Sequence, residues 1–252
     1  MSNIESFKIN ESTDFNTPTL NLSFSQSLKE IYLNSFCYAK EILQNQTSNE
    51  QRISFDRATD IRAIAKSFNI NIVEIGMNRD HEIFRHALPG YLDYYDYKPN
   101  KFSWTIYVNK TMGDLTKRYI IAHELAHFFI KHPSYKGGIK YCANPLFPKT
   151  SEEQMCDLLA SFLLMPIEKV FDIMTEYIEN HRTNDLLDMY EWLRYLGCEL
   201  GISDYHTITC FQNVRYLAGI IYEIKGNYIY NQNRDYCKKV YDKMLGFPNL
   251  FQ

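Results

Sequence analysis

Arg118-Tyr119-Ile120-Ile121-Ala122-His123-Glu124-Leu125-Ala126-His127-Phe128-Phe129-Ile130 is the stretch that decides how this chain folds. His123, Glu124 and His127 form the pattern H-E-x-x-H, set among Ile120, Ile121, Leu125, Phe128 and Phe129. So apolar a run predicts a helix, over Asp114–Lys131, that is largely buried. Residues four apart on a helix stack on one face, with Cβ atoms about 5–6 Å apart, so the two imidazoles can converge on one cation. Glu124 projects from the flank of that face, where it can reach a water on the cation without competing for it. Two buried histidines and a buried glutamate without partners would be costly, and a metal ion supplies a partner.

By chance alone, about one chain in a hundred of this composition carries such a pattern, so a further ligand is needed to make the case. Ser151-Glu152-Glu153-Gln154-Met155-Cys156-Asp157 follows after a loop marked by Gly137, Gly138, Pro145 and Pro148. Ser151 with Gln154 three residues later is a capping box, which opens a helix running to Met165. Glu153 and Asp157 are four apart and share a face of it. One can bind the metal while the other accepts the remaining ring N–H of a ligating histidine and fixes its tautomer. Taken alone, Glu153 reads more readily as a first-turn acid favoured by the helix dipole; beside the histidines the ligand reading prevails. Glu152 is the substitute if the register is off by one.

Elsewhere the chain is ordinary. A formal charge of −3 over 252 residues, with 23% charged residues, argues against a protein that lives on nucleic acid, which needs a basic surface. The polar start, Met1–Ser25, lacks the basic and apolar regions of a secretory signal. Apolar runs such as Tyr216–Tyr222 fall short of the roughly 20 residues that span a bilayer, so the expected location is the cytoplasm. Cys37, Cys142, Cys156, Cys198, Cys210 and Cys237 include no C-x-x-C pair, which suits neither a disulfide framework nor a thiolate cage.

Working outward, apolar spacing predicts helices over Leu28–Leu43 and over Asp56–Phe68, the latter with Asp56 as N-cap. β-branched and alternating residues predict strands over Ile70–Ile75 and Phe102–Asn109. The Tyr91–Tyr97 run reads as strand and loop packing more readily than as a recognition surface. Pro166 suits the first position of a helix through about Glu179. Helices follow over Leu187–Leu200 and Asp204–Leu217, with a turn at Gly201-Ile202-Ser203, and then a hairpin over Gly219–Tyr230 turning at Lys225-Gly226-Asn227. The fold class expected is α+β, a small sheet amid helices.

Two segments together resemble the ImmA/IrrE family of metallo-endopeptidases. Arg118–His127 is similar to that family's R-F-T-x-A-H-E-L-G-H helix, and Glu153–Pro166 to its E-x-x-A-N-x-F-A-A-x-L-L-M-P stretch. A weaker likeness covers Asp56–Leu217. Ala126, Cys156, Asp157, Leu159 and Ser161 depart from the pattern. The resemblance implies a zincin-like domain with Zn2+ held by His123, His127 and Glu153, and with Glu124 as catalytic base. The corresponding division is a polar terminus over 1–25, the metallopeptidase domain over 26–166 and a helical C-terminal subdomain over 167–252. It also implies a protein substrate, such as a helix–turn–helix repressor of a mobile element or a stress regulator.

In that mechanism three protein ligands leave a place for water, whose proton Glu124 takes and hands to the leaving amine. His132, Tyr135, Tyr141, His181 and His206 are open as donors to the oxyanion. The Trp104–Asn109 strand is expected to offer a free edge to an extended substrate. Two other classes compete. DNA binding through residues 187–217 is weakened by a net charge of zero over 186–252, with Arg215 the only basic residue of the second helix. A non-catalytic zinc sensor has no need of Glu124.

Overall fold

The computed structural model describes residues 28–47, 57–76, 90–96, 102–130, 140–141, 151–181 and 189–223. Among these, α1 (Leu28–Thr47) precedes α2 (Ile61–Ser67), β1 (Ile70–Ile75), β2 (Gly90–Asp96), β3 (Phe102–Asn109) and α3 (Asp114–Ile130). Then come β4 (Lys140–Tyr141), α4 (Ser151–Leu164), α5 (Ile167–His181), α6 (Met189–Leu200) and α7 (Asp204–Glu223). The class is α+β, as expected.

The strands lie in the order β1-β3-β2-β4. β3 runs parallel to β1 and antiparallel to β2, with Ile106 opposite both Ile72 and Leu92. It therefore has neighbours on both sides, which corrects the expectation that Trp104–Asn109 presents a free edge. Strand order is a matter of long-range pairing, which alternation along one strand does not encode. Tyr91–Asp96 of the tyrosine run lie in β2, Tyr97 lies outside the described residues, and Tyr91 stacks on Tyr107 across the pair at 4.8 Å.

The inner face of the sheet, with Leu92, Ile106 and Val108 buried, packs on α3. Trp104 meets Phe128 edge-on at 5.4 Å. Gly90 is required by this approach, since a Cβ there would lie 2.5 Å from Ile120 Cγ2 and 2.8 Å from the Tyr107 carbonyl. On its other side α3 meets α4, which is in turn covered by α1 and α7. Phe162 of α4 receives Tyr32 and Phe36 of α1 at 6.2 and 6.1 Å. Every residue from Tyr119 to Ile130 is buried. A helix apolar on all sides can be stable only as such a central rod.

Two boundaries differ from the sequence reading. The N-cap of α2 is Asp60, whose Oδ1 accepts from Ala63 N at 2.9 Å, and not Asp56, which lies outside the described residues. The carbonyls of Arg57 and Thr59 are taken by Lys169 and Arg118, so the chain there serves tertiary contacts before the helix begins. At the other end, α7 continues to Glu223, so Gly219–Glu223 is helix and not the first arm of a hairpin. Val214, Leu217, Ala218 and Ile221 are buried at helical spacing, and that burial outweighs the modest cost of Gly219. The proposed turn at Lys225-Gly226-Asn227 lies outside the described residues.

Arg118 ties the layers together, donating to Thr59 O and to Gly201 O at 2.8 Å each. Gly201 ends α6 with φ +62°, and Ile202 N bonds back to Gly197 O at 2.8 Å. This is a Schellman closure, in which glycine avoids the Cβ penalty of the left-handed region. Helices α6 and α7 contribute Trp192, Leu196, Phe211 and Val214 to the common core. No helix among the described residues is long and apolar enough to cross a membrane.

Candidate metal centre

The site forms where the middle of α3 crosses the first turns of α4. The i, i+4 stacking of α3 sets the rings of His123 and His127 with centroids 5.0 Å apart. Glu153 enters from α4 between them, its Oε2 3.1 Å from His123 Nε2 and its Oε1 3.4 Å from His127 Nε2. One ligand atom from each of the three residues lies within 4.8 Å of the others. Asp157, one turn further along α4, places Oδ1 2.9 Å from His123 Nδ1. Each imidazole thus turns Nε2 to the shared centre and Nδ1 away from it.

Glu152 and Cys156, also four apart on α4, face the far side of His127. Glu152 Oε1 is 3.4 Å and Cys156 Sγ 3.2 Å from His127 Nδ1. Neither position was assigned by the sequence reading. From the sequence, Glu152 is only the substitute for Glu153, and Cys156 only a cysteine outside any C-x-x-C pair. The signal was present in the shared spacing of the pairs 152/156 and 153/157. Which pair meets which histidine depends on the crossing of the two helices. Glu124 is fully buried on α3, about 100° round the helix from His123. Of the oxyanion candidates, His132 and Tyr135 lie outside the described residues, as do the side chains of Tyr141 and His181. His206 stacks on Tyr119 at 4.0 Å.

The charges in this cluster are strongly biased. Burial opposes ionisation of Glu153, but the two imidazoles beside it dominate and hold its carboxyl well below the usual range. Burial would likewise favour neutral His127, yet Cys156, Glu152 and Glu153 outweigh it and raise its pKa well above the ordinary value. Burial and the adjacent Asp157 keep the Tyr119 phenol protonated far into the alkaline range.

A cation requires the neutral ring, so its binding must expel the His127 proton. Affinity for zinc is therefore expected to fall as pH drops, with the loss beginning above the ordinary imidazole value of about 6.5. Chelator competition at a series of pH values checks this, and an affinity that declines only below that value would contradict it.

The donor set fits a divalent metal. Ligand atoms on a tetrahedral zinc, with bonds of about 2.0–2.1 Å, are about 3.3 Å apart, close to the 3.1 and 3.4 Å observed here. His127 Nε2 is buried and makes no hydrogen bond among the described residues, although it faces Glu153. Such an atom needs a partner, and a cation at the centre of the three residues provides it. A family model described as the IrrE N-terminal-like domain, of the M78 peptidases, matches residues 65–197, just over half of the chain. No curated protein matches it.

Proposed function

Because the chain belongs to the M78, IrrE N-terminal-like peptidase family, we propose that it is a zinc-dependent endopeptidase acting on a restricted intracellular protein. The observation that carries this reading is the convergence of His123, His127 and Glu153 on one point, with Glu124 buried beside them. Zinc bound there supplies Lewis acidity, the chemistry that makes water nucleophilic and a peptide carbonyl electrophilic near neutral pH. Glu124 takes the proton from the attacking water on its carboxylate and delivers it to the departing amine nitrogen. Asp157 keeps the His123 proton on Nδ1, which leaves Nε2 free as a ligand. The burial of α3 and α4 around the site limits access of bulk water, which strengthens every charge interaction within it.

The resemblance to ImmA/IrrE proteins supports a helix–turn–helix repressor or stress regulator as substrate. The helices that a DNA-binding reading would use, α6 and α7, bury Trp192, Leu196, Phe211 and Val214 in the core. Zinc analysis tests the premise directly. The full chain should carry stoichiometric zinc, and His123→Ala should lose it; equal metal in both would end the proposal.

A further inference from the structure

We propose that Tyr119 is a positioning residue for His123, acting through Asp157 and locked in place by His206; the proposal rests on His123 being a metal ligand. Tyr119 stands one helical turn before His123 on α3, so the two rings share a face, with centroids 6.4 Å apart. Its hydroxyl donates to Asp157 Oδ1 at 3.0 Å, and that same oxygen lies 2.9 Å from His123 Nδ1. One carboxylate oxygen therefore gathers a phenol from the turn below and an imidazole from the turn above.

A buried carboxylate must be met by donors, and Asp157 is only 9% exposed. With the phenol bonded to it, Oδ1 is held where the Nδ1–H can donate. Without the phenol, Oδ1 loses one of the donors that fix its direction, and the acceptor offered to the imidazole is held less firmly. The phenol is itself constrained. Tyr119 is 8% exposed, so its hydroxyl cannot turn to bulk water without moving the helix. The His206 ring stacks on it at 4.0 Å and 21°, and His206 is held by Ser203 Oγ, 2.6 Å from its Nδ1. The backbone of Asp157 is anchored from the same direction. Its carbonyl accepts from Ser161 Oγ at 2.6 Å, and Ser161 accepts from Asn213 of α7 at 2.9 Å. Helix α7, which touches neither imidazole ligand in any of these contacts, thereby sets the acceptor that orients one of them.

The test is zinc affinity by chelator competition for the full chain in four forms: wild type, Tyr119→Phe, Asp157→Asn and the double variant. Loss of a partner hydrogen-bonded to a ligand typically costs about 10–100-fold in affinity. Tyr119→Phe, one bond further out, should weaken zinc by about tenfold, the low end of that range. In the Asp157→Asn background the same change should cost about twofold or less, because the route to His123 has already been altered. A Tyr119→Phe variant that binds zinc like wild type overturns the proposal, as does a loss equally large in both backgrounds. A readout that needs no second variant is the downfield imidazole N–H proton of His123 in the metal-free protein. It should shift in Tyr119→Phe, and an unmoved resonance also overturns the idea. If His123→Ala binds zinc as tightly as wild type, the metal-site reading and this proposal fall together. If only Tyr119→Phe is silent, the metal-site reading stands.

Discussion

Glu124→Gln should retain stoichiometric zinc and native stability while peptide-bond hydrolysis falls by about 10²–10⁴-fold, the usual contribution of a positioned acid–base group. Glutamine has nearly the volume of glutamate, so the fully buried position is filled without a cavity. It cannot take up a proton near neutral pH, however, so the attacking water loses its base and the amine its proton source. Because Glu124 lies off the face shared by the histidines, metal retention is expected to be untouched. Zinc content by elemental analysis and cleavage of a co-expressed candidate repressor measure the two effects separately. Loss of zinc in this variant would make Glu124 a ligand and refute its role as base. Unchanged cleavage would turn the reading toward another base, and absence of cleavage in wild type as well would favour a sensor of the same fold.

The second large effect concerns the two adjacent acids at the start of α4. Glu153→Ala should abolish stoichiometric zinc, because it removes the carboxylate that faces Nε2 of both rings at 3.1 and 3.4 Å. It also takes the facing carboxylate away from His127 Nε2, which makes no hydrogen bond among the described residues. Glu152→Ala should leave zinc bound and weaken it by no more than about 10–100-fold, since Glu152 meets His127 at its outer nitrogen, Nδ1. The ratio between the variants is the measurement, and chelator competition gives it. Should Glu152→Ala prove the more damaging, the register of α4 against α3 is one residue from where the geometry puts it.

The metal helix could be read from the sequence because every element of it is local. His123 and His127 share a face by helical period alone, and the apolar residues around them imply a buried rod, which is what α3 is. The sequence also placed the start of α4 at Ser151, where the helix begins. Glu153 paired with Asp157 followed from the same four-residue period. The misreadings are all non-local or depend on burial. Asp56 has the right chemistry for an N-cap, but Arg118 and Lys169 engage the carbonyls that follow it, so Asp60 takes the role. Gly219 looks like a strand start until the core claims Leu217, Ala218 and Ile221 on one side of a longer helix. An alternating strand carries no mark of which neighbours it will have, so β3 was given an edge that β1 and β2 occupy.

Spacing within single helices determined which residues of this protein can act together: two imidazoles on α3, and the paired positions 152/156 and 153/157 on α4. Short-range periodicity is written residue by residue, since a helix repeats every few positions. The crossing of α3 on α4 was decided only in three dimensions, by the packing of apolar side chains from distant parts of the chain. That crossing turns Glu153 inward to both rings, sets Glu152 and Cys156 behind His127, and brings Asp157 against both Tyr119 and His123.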